Sequence, residues 1–121
     1  MTLGYHKKYL RIDAATGKAK FLPLSAGALR NSLGGVGLGT HLLLEHGSAG
    51  VAPLSPDAAI CFVFSPLVGS PLTTSAKFAV VSKSPLTDRL NDSLASSHFA
   101  IAGKKIGADA IVIVGRAQEL C

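Results

Sequence analysis

The stretch "KFAVVSKSPLTDRLNDSLASSHF", Lys77 to Phe99, sets five strand-like residues beside an unusual density of hydrogen-bonding side chains. Its apolar start reads as a buried strand. A long polar loop leaves that strand at Val81, turns at "KSPL" and returns to enter a helix near Ser96. The loop holds Ser, Thr, Asn and Asp side chains beside Lys77, Lys83 and Arg89. A helix entrance presents free backbone N–H groups and favours anions. With Ser93, Ser96 and Ser97 adding hydroxyls and Lys77 and Lys83 adding charge, the loop suits a ligand with phosphates and many heteroatoms. The same serines equally suit plain capping, in which Ser96 or Ser97 satisfies the helix end and nothing more. His98, which closes the loop, is either a hydrogen-bonding group of a site or a satisfied structural histidine.

Nearer the N-terminus, "YLRID" and "KAKFLPL" are strand-like runs joined by "AATG", whose Gly17 supplies the positive φ of a hairpin turn. "SAGALRNSL" is a short helical pattern capped by Ser25. "LGGVGLGTHLLLEHG" begins as a glycine loop and becomes a helix that stops at Gly47. "AICFVF" and "KFAVVSK" are two buried strands linked by the turn-rich "SPLVGSPLTTSA". "SSHFAIAGKKIG" places Phe99, Ala102 and Ile106 on one helical face and ends at Gly107. "ADAIVIVGRA" is apolar throughout and predicts a strand covered on both faces. Strands cluster at both ends with helices between, which is an α+β arrangement.

The chain has 121 residues, the size of one domain spanning 1–121. Hydrophobic residues make up 48% and charged residues 16%, a balance that excludes disorder. No apolar run is long enough to cross a membrane. The start, "MTLGYHKKYLRID", has no apolar core before a cleavage site, so a cytoplasmic protein with no membrane partner is expected. The net charge of +5 is uneven: residues 1–30 hold six Lys or Arg against one Asp, and residues 31–76 hold none. The few aromatics sit in apolar runs rather than among the basic residues, which argues against a nucleic-acid partner. Cys61, inside "AAICFVF", reads as a small core residue. A disulfide to Cys121 would require an oxidising compartment, to which nothing points. Without a CxxC the chain carries no iron–sulfur or zinc framework of its own.

"GGVGLG", Gly34 to Gly39, resembles a dinucleotide loop. The working fingerprint follows a strand and opens the helix of a βαβ unit. Here the preceding segment is helical, so the run reads as a glycine bend that lets a helix pack close to a sheet. His41 and Glu45 stand four apart on a helix but have no third metal ligand nearby in sequence, and they read as an exposed pair.

"GYHKKYLRIDAATGKAKFLPL", "SLGGVGLGTHLLLEHG", "PLSPDAAICFVFSPLVGSP" and "AKFAVVSKSPLTDRLNDSLASSHFAIAGKKIGADAIVIVGRA" occur in this order. Together they resemble the N-terminal domain of the tungsten-containing aldehyde:ferredoxin oxidoreductase family, over Gly4 to about Ala117. The resemblance implies two β-sheets with a few short helices, a base on which a bis-pterin tungsten or molybdenum cofactor lies. By resemblance the cofactor-facing residues are Lys77, Ser93, Leu94, Ala95, Ser96 and Ser97. Lys77 stands where relatives often carry Arg, and keeps the charge without the planar fork. Leu94 stands where a main-chain carbonyl binds the magnesium that bridges the pterin phosphates, a role that tolerates any side chain. Ser96 and Ser97 replace a Gly-Gly pair found in many relatives.

The same resemblance places the 4Fe–4S cluster, the remaining pterin contacts and the proton-transfer residues in later domains absent from this sequence. No catalytic residue is assigned here, and the isolated chain is not expected to turn over. Its implied partners are those later domains, in the same enzyme or on a separately encoded chain, and ferredoxin for the whole enzyme. Two other classes stand beside this one. A truncated, non-catalytic relic or interaction module would fold without cofactor, and a dinucleotide-binding domain built on "GGVGLG" would bind NAD.

Overall fold

Gly17, at φ +68°, closes the first turn by donating its N–H to the Asp13 carbonyl at 2.8 Å. The hairpin around it pairs β1 (Lys8–Asp13) with β2 (Lys18–Pro23). This computed structural model describes residues 4–119. Two helices follow, α1 (Ala26–Ser32) and α2 (Gly35–Glu45), and then β3 (Ile60–Phe64), β4 (Lys77–Lys83), β5 (Leu90–Ser96), α3 (His98–Lys105) and β6 (Ala110–Val114). The class is α+β. Ser25 caps α1 as its sequence predicts, accepting from the Ala28 N–H.

The strands form one six-stranded sheet, in the order β2-β1-β6-β3-β4-β5, where two sheets were expected. The reason is β6, which runs parallel to β1 and antiparallel to β3. Strand β6 bonds the β1 edge of the N-terminal hairpin and the β3 edge of the β3–β4–β5 meander, joining the two.

Residues in register share a face. One face carries Tyr9, Val112, Cys61, Val63, Ala79 and Val81, all buried, and is covered by α2 with Leu38, Leu42 and Leu43. The "GGVGLG" run is part of this helix rather than a loop. A Cβ on Gly39 would lie 2.5 Å from a Val81 methyl, so the absent side chain sets how closely helix and sheet approach.

The other face is covered at one end only. There α3 rests Gly103 against the Phe64 ring, and its Phe99 ring sits 4.9 Å from Phe78 and 5.8 Å from Phe62. The helix therefore packs through Phe99, Ala100 and Gly103, while Ala102 and Ile106, the rest of the predicted face, are exposed. Away from α3, the apolar Leu10, Ile12, Ile60, Val80 and Ile113 stay partly exposed. Consequently β6 is fully covered on one face, not on two.

Asp109 ties these parts together just before β6. Its N–H donates to Lys8 O at 2.8 Å and its carbonyl accepts from Phe64 N at 3.0 Å, so it bonds β1 and β3 at once. Its carboxylate, 1% exposed, accepts from the His6 and Lys7 N–H groups and pairs with Lys104 Nζ at 2.5 Å. Removing one member of a buried ion pair leaves a desolvated charge and costs about 3–5 kcal/mol. Asp109→Asn should lose about that much in denaturant unfolding, and pairing it with Lys104→Met should cost less than the sum of the two single changes.

Candidate functional site

The polar segment predicted as a loop is mostly a strand. Residues 84–89 make a tight turn, and Leu90–Ser96 return along β4 as β5, with every residue exposed. Its polar side chains hide the strand from a hydropathy reading, because an edge exposed on both faces needs no alternation.

Two backbone bonds fix which way β5 points. Ser84 N–H donates to Arg89 O at 2.8 Å, and Ser97 N–H donates to Ala76 O at 3.1 Å. Antiparallel pairs alternate between bonded and non-bonded positions. In this register Asn91, Ser93 and Ala95 therefore bond β4, while Leu90, Asp92, Leu94 and Ser96 turn their N–H and C=O groups outward from the sheet edge. The Leu94 carbonyl is thus free for an incoming partner, and its side chain is 71% exposed.

The predicted site residues divide between two faces. Lys77, Leu94 and Ser96 lie on the α2 side, and Lys77 Nζ donates to Ser96 Oγ at 2.9 Å. Ser93 and Ala95 lie on the α3 side, in register with Val80 and Phe78. Ser97 caps α3, accepting from the Phe99 N–H at 3.1 Å, so capping falls to Ser97 and not to Ser96. Its backbone is extended, at φ −165°, a conformation open to any residue. Lys83 does not join the site. Its ammonium is used by Val51 O at 2.9 Å, Ala49 O at 3.3 Å and the Asp88 carboxylate at 3.0 Å, which pins the β4–β5 turn to the segment after α2. His98 opens α3 and is exposed.

Elsewhere, His41 Nε2 meets Glu45 at 3.3 Å, and among the described residues no three His, Cys, Asp or Glu side chains converge. His46 Nε2 lies 3.3 Å from the buried Tyr9 hydroxyl, and burial, reinforced by Arg11, holds its pKa below the ordinary histidine value. Cys121 lies outside the described residues. No helix of the described residues is long and apolar enough to cross a membrane.

A family model described as aldehyde ferredoxin oxidoreductase, N-terminal domain, matches residues 9–121. The chain belongs to this family. It is 32% identical over 112 residues to the tungsten-containing aldehyde ferredoxin oxidoreductase of Pyrococcus furiosus, covering 93% of this chain and 18% of that protein. It is also 33% identical over 118 residues to the aliphatic sulfonate oxidoreductase, WOR-like subunit, of the same organism, covering 95% of this chain and 19% of the relative. Among solved structures, the active-site complex BamBC of benzoyl coenzyme A reductase with 1,5-dienoyl-CoA superposes at a TM-score of 0.92 and 26% identity, over 99% of this chain and 18% of that one. The chain thus spans about a fifth of the length of the relatives it matches.

Within this aldehyde ferredoxin oxidoreductase N-terminal domain, Asp109, Lys104 and the outward backbone of β5 escaped the sequence reading. An acid set inside the apolar run "GADAIVIV", five residues after a lysine, was the available signal for the first two. Cys61 is buried in the core, and burial pushes its thiol up to about 12. The raised value holds the thiol protonated in the fold, so stability should fall as pH climbs from about 9 toward 12. At pH 8 the native thiol should resist iodoacetamide, which needs the thiolate, and react once the chain is unfolded in urea.

Proposed function

We propose that this domain seats a tungsten or molybdenum bis-pterin cofactor along the open edge of β5. It would do so within an aldehyde:ferredoxin oxidoreductase-type enzyme that oxidises aldehydes to carboxylic acids and passes electrons through an iron–sulfur cluster to ferredoxin. The observation that carries this reading is the outward Leu94 carbonyl beside the Lys77–Ser96 pair. A hard cation takes carbonyl oxygens readily, and the ammonium next to it suits the phosphates such a cation would bridge.

The residues present fit such a group. Leu94 would offer its carbonyl to magnesium, and Lys77 and the Ser96 hydroxyl would face phosphate oxygens. Ser93 and Ala95 would border the cofactor on the α3 side, and the extended Ser97 backbone leaves an approach to the start of α3 without needing glycine. When bound, the metal supplies the two-electron chemistry of aldehyde oxidation. This chain's own residues position and neutralise, and none is assigned a catalytic step. The 4Fe–4S cluster and the rest of the pocket would come from further domains of the same enzyme or from a separately encoded chain, which the length of the relatives supports.

Co-expression with a chain bearing those further domains tests the reading by metal and pterin content. Charge-assisted hydrogen bonds are roughly twice as strong as neutral ones, so Lys77→Ala should lower pterin content more than Ser96→Ala. Leu94→Ala should leave content unchanged, because the carbonyl remains. Val81→Asp, which places a charge in the core, marks the unfolded control. A complex with neither tungsten nor molybdenum, or full cofactor in folded Lys77→Ala, would rule the assignment out.

A further inference from the structure

We infer that β5 is also a self-association edge, through which two cofactor-free copies of this chain pair antiparallel about a two-fold axis at Leu94. An uncovered edge strand is a template for another chain, and proteins blunt such edges with lysine, proline or bulges. The sheet has two edges, and they differ. On β2, Lys18, Lys20 and Pro23 guard one. "LNDSLAS", forming β5, contains neither lysine nor proline, is exposed at every residue, and holds an unbroken register with β4. The sheet can therefore grow on the β5 side.

With a second copy as the occupant, the charges select one register. An added strand must match outward groups to outward groups, so Leu90, Asp92, Leu94 and Ser96 of one copy can pair only with the same set on the other. An axis at Asp92 sets two carboxylates directly opposite each other, which is unfavourable. An axis at Ser93 sets Asp92 against Leu94. With the axis at Leu94, Asp92 of each copy faces Ser96 of the other, whose hydroxyl holds the Lys77 ammonium at 2.9 Å. Symmetry makes that carboxylate–ammonium contact twice. It also lays the two exposed Leu94 side chains against each other, in an isologous interface that joins the sheets edge to edge. The pairing does not depend on the cofactor reading. Should that reading also hold, a second copy and a cofactor would exclude each other, since both use the Leu94 backbone.

Sedimentation equilibrium on the 121-residue chain without cofactor should show a monomer–dimer equilibrium. Leu94→Pro removes an outward N–H that β4 does not use, a change edge strands tolerate. It should give monomer with an unchanged far-UV circular dichroism spectrum. Asp92→Lys should weaken the dimer roughly tenfold, through two repulsive contacts of up to about 1 kcal/mol each, and adding Lys77→Asp should restore it. A chain that stays monomeric at all concentrations overturns the inference. So does a dimer as tight in Leu94→Pro as in the parent chain, which would place the contact on the partly open apolar face instead, and so does a failure of the second charge reversal to rescue the first.

Discussion

Asp109 is the point at which the parts of this domain meet. It has a backbone bond to β1, another to β3, and a carboxylate shared between the N-terminal segment and a buried lysine of α3. A carboxylate with almost no water access tolerates its charge only because Lys104 and two backbone N–H groups surround it. Tertiary contacts rather than a local motif therefore decide where β6 begins. With the start of β6 fixed, the hairpin and the meander become one sheet, and that sheet acquires one closed and one partly open face.

Close packing then shapes the two faces differently. On the closed side, Gly39 lets α2 settle against Val63 and Val81, and the leucines of α2 complete the core. On the other side, α3 occupies a cluster of phenylalanines and leaves Leu10, Ile12, Ile60, Val80 and Ile113 partly exposed. That partly open apolar face belongs to a chain that spans about a fifth of the length of its relatives. The polar edge is β5, at the far side of the sheet from the basic hairpin.

Much of this was legible in the residues. The N-terminal hairpin, the Ser25 cap, the two apolar strands and the helix stop near Gly107 follow from turn chemistry and hydrophobic runs, which are local. The family was legible too, through long ordered motifs. Three features were not. The predicted loop is a strand, because an edge exposed on both faces carries no hydrophobic period. The packing face of α3 runs through Ala100 and Gly103 because a phenylalanine ring of β3 needs the space, and small residues leave no mark in a hydropathy pattern. The two expected sheets are one because β6 pairs with partners some fifty and a hundred residues away in sequence. At the candidate site, Lys77 and Ser96 were readable as polar groups near one another, but the direction of the Leu94 carbonyl depends on register alone.

Amide hydrogen exchange followed by NMR on monomeric chain at low concentration reads the direction of the β5 backbone residue by residue. Backbone N–H groups bonded within the sheet are protected, and outward ones are not. Asn91, Ser93 and Ala95 should exchange slowly while Asp92, Leu94 and Ser96 exchange at rates near those of an unstructured peptide. Uniformly fast exchange from Leu90 to Ser96, or the opposite alternation, would show that the Leu94 carbonyl is not presented at a sheet edge.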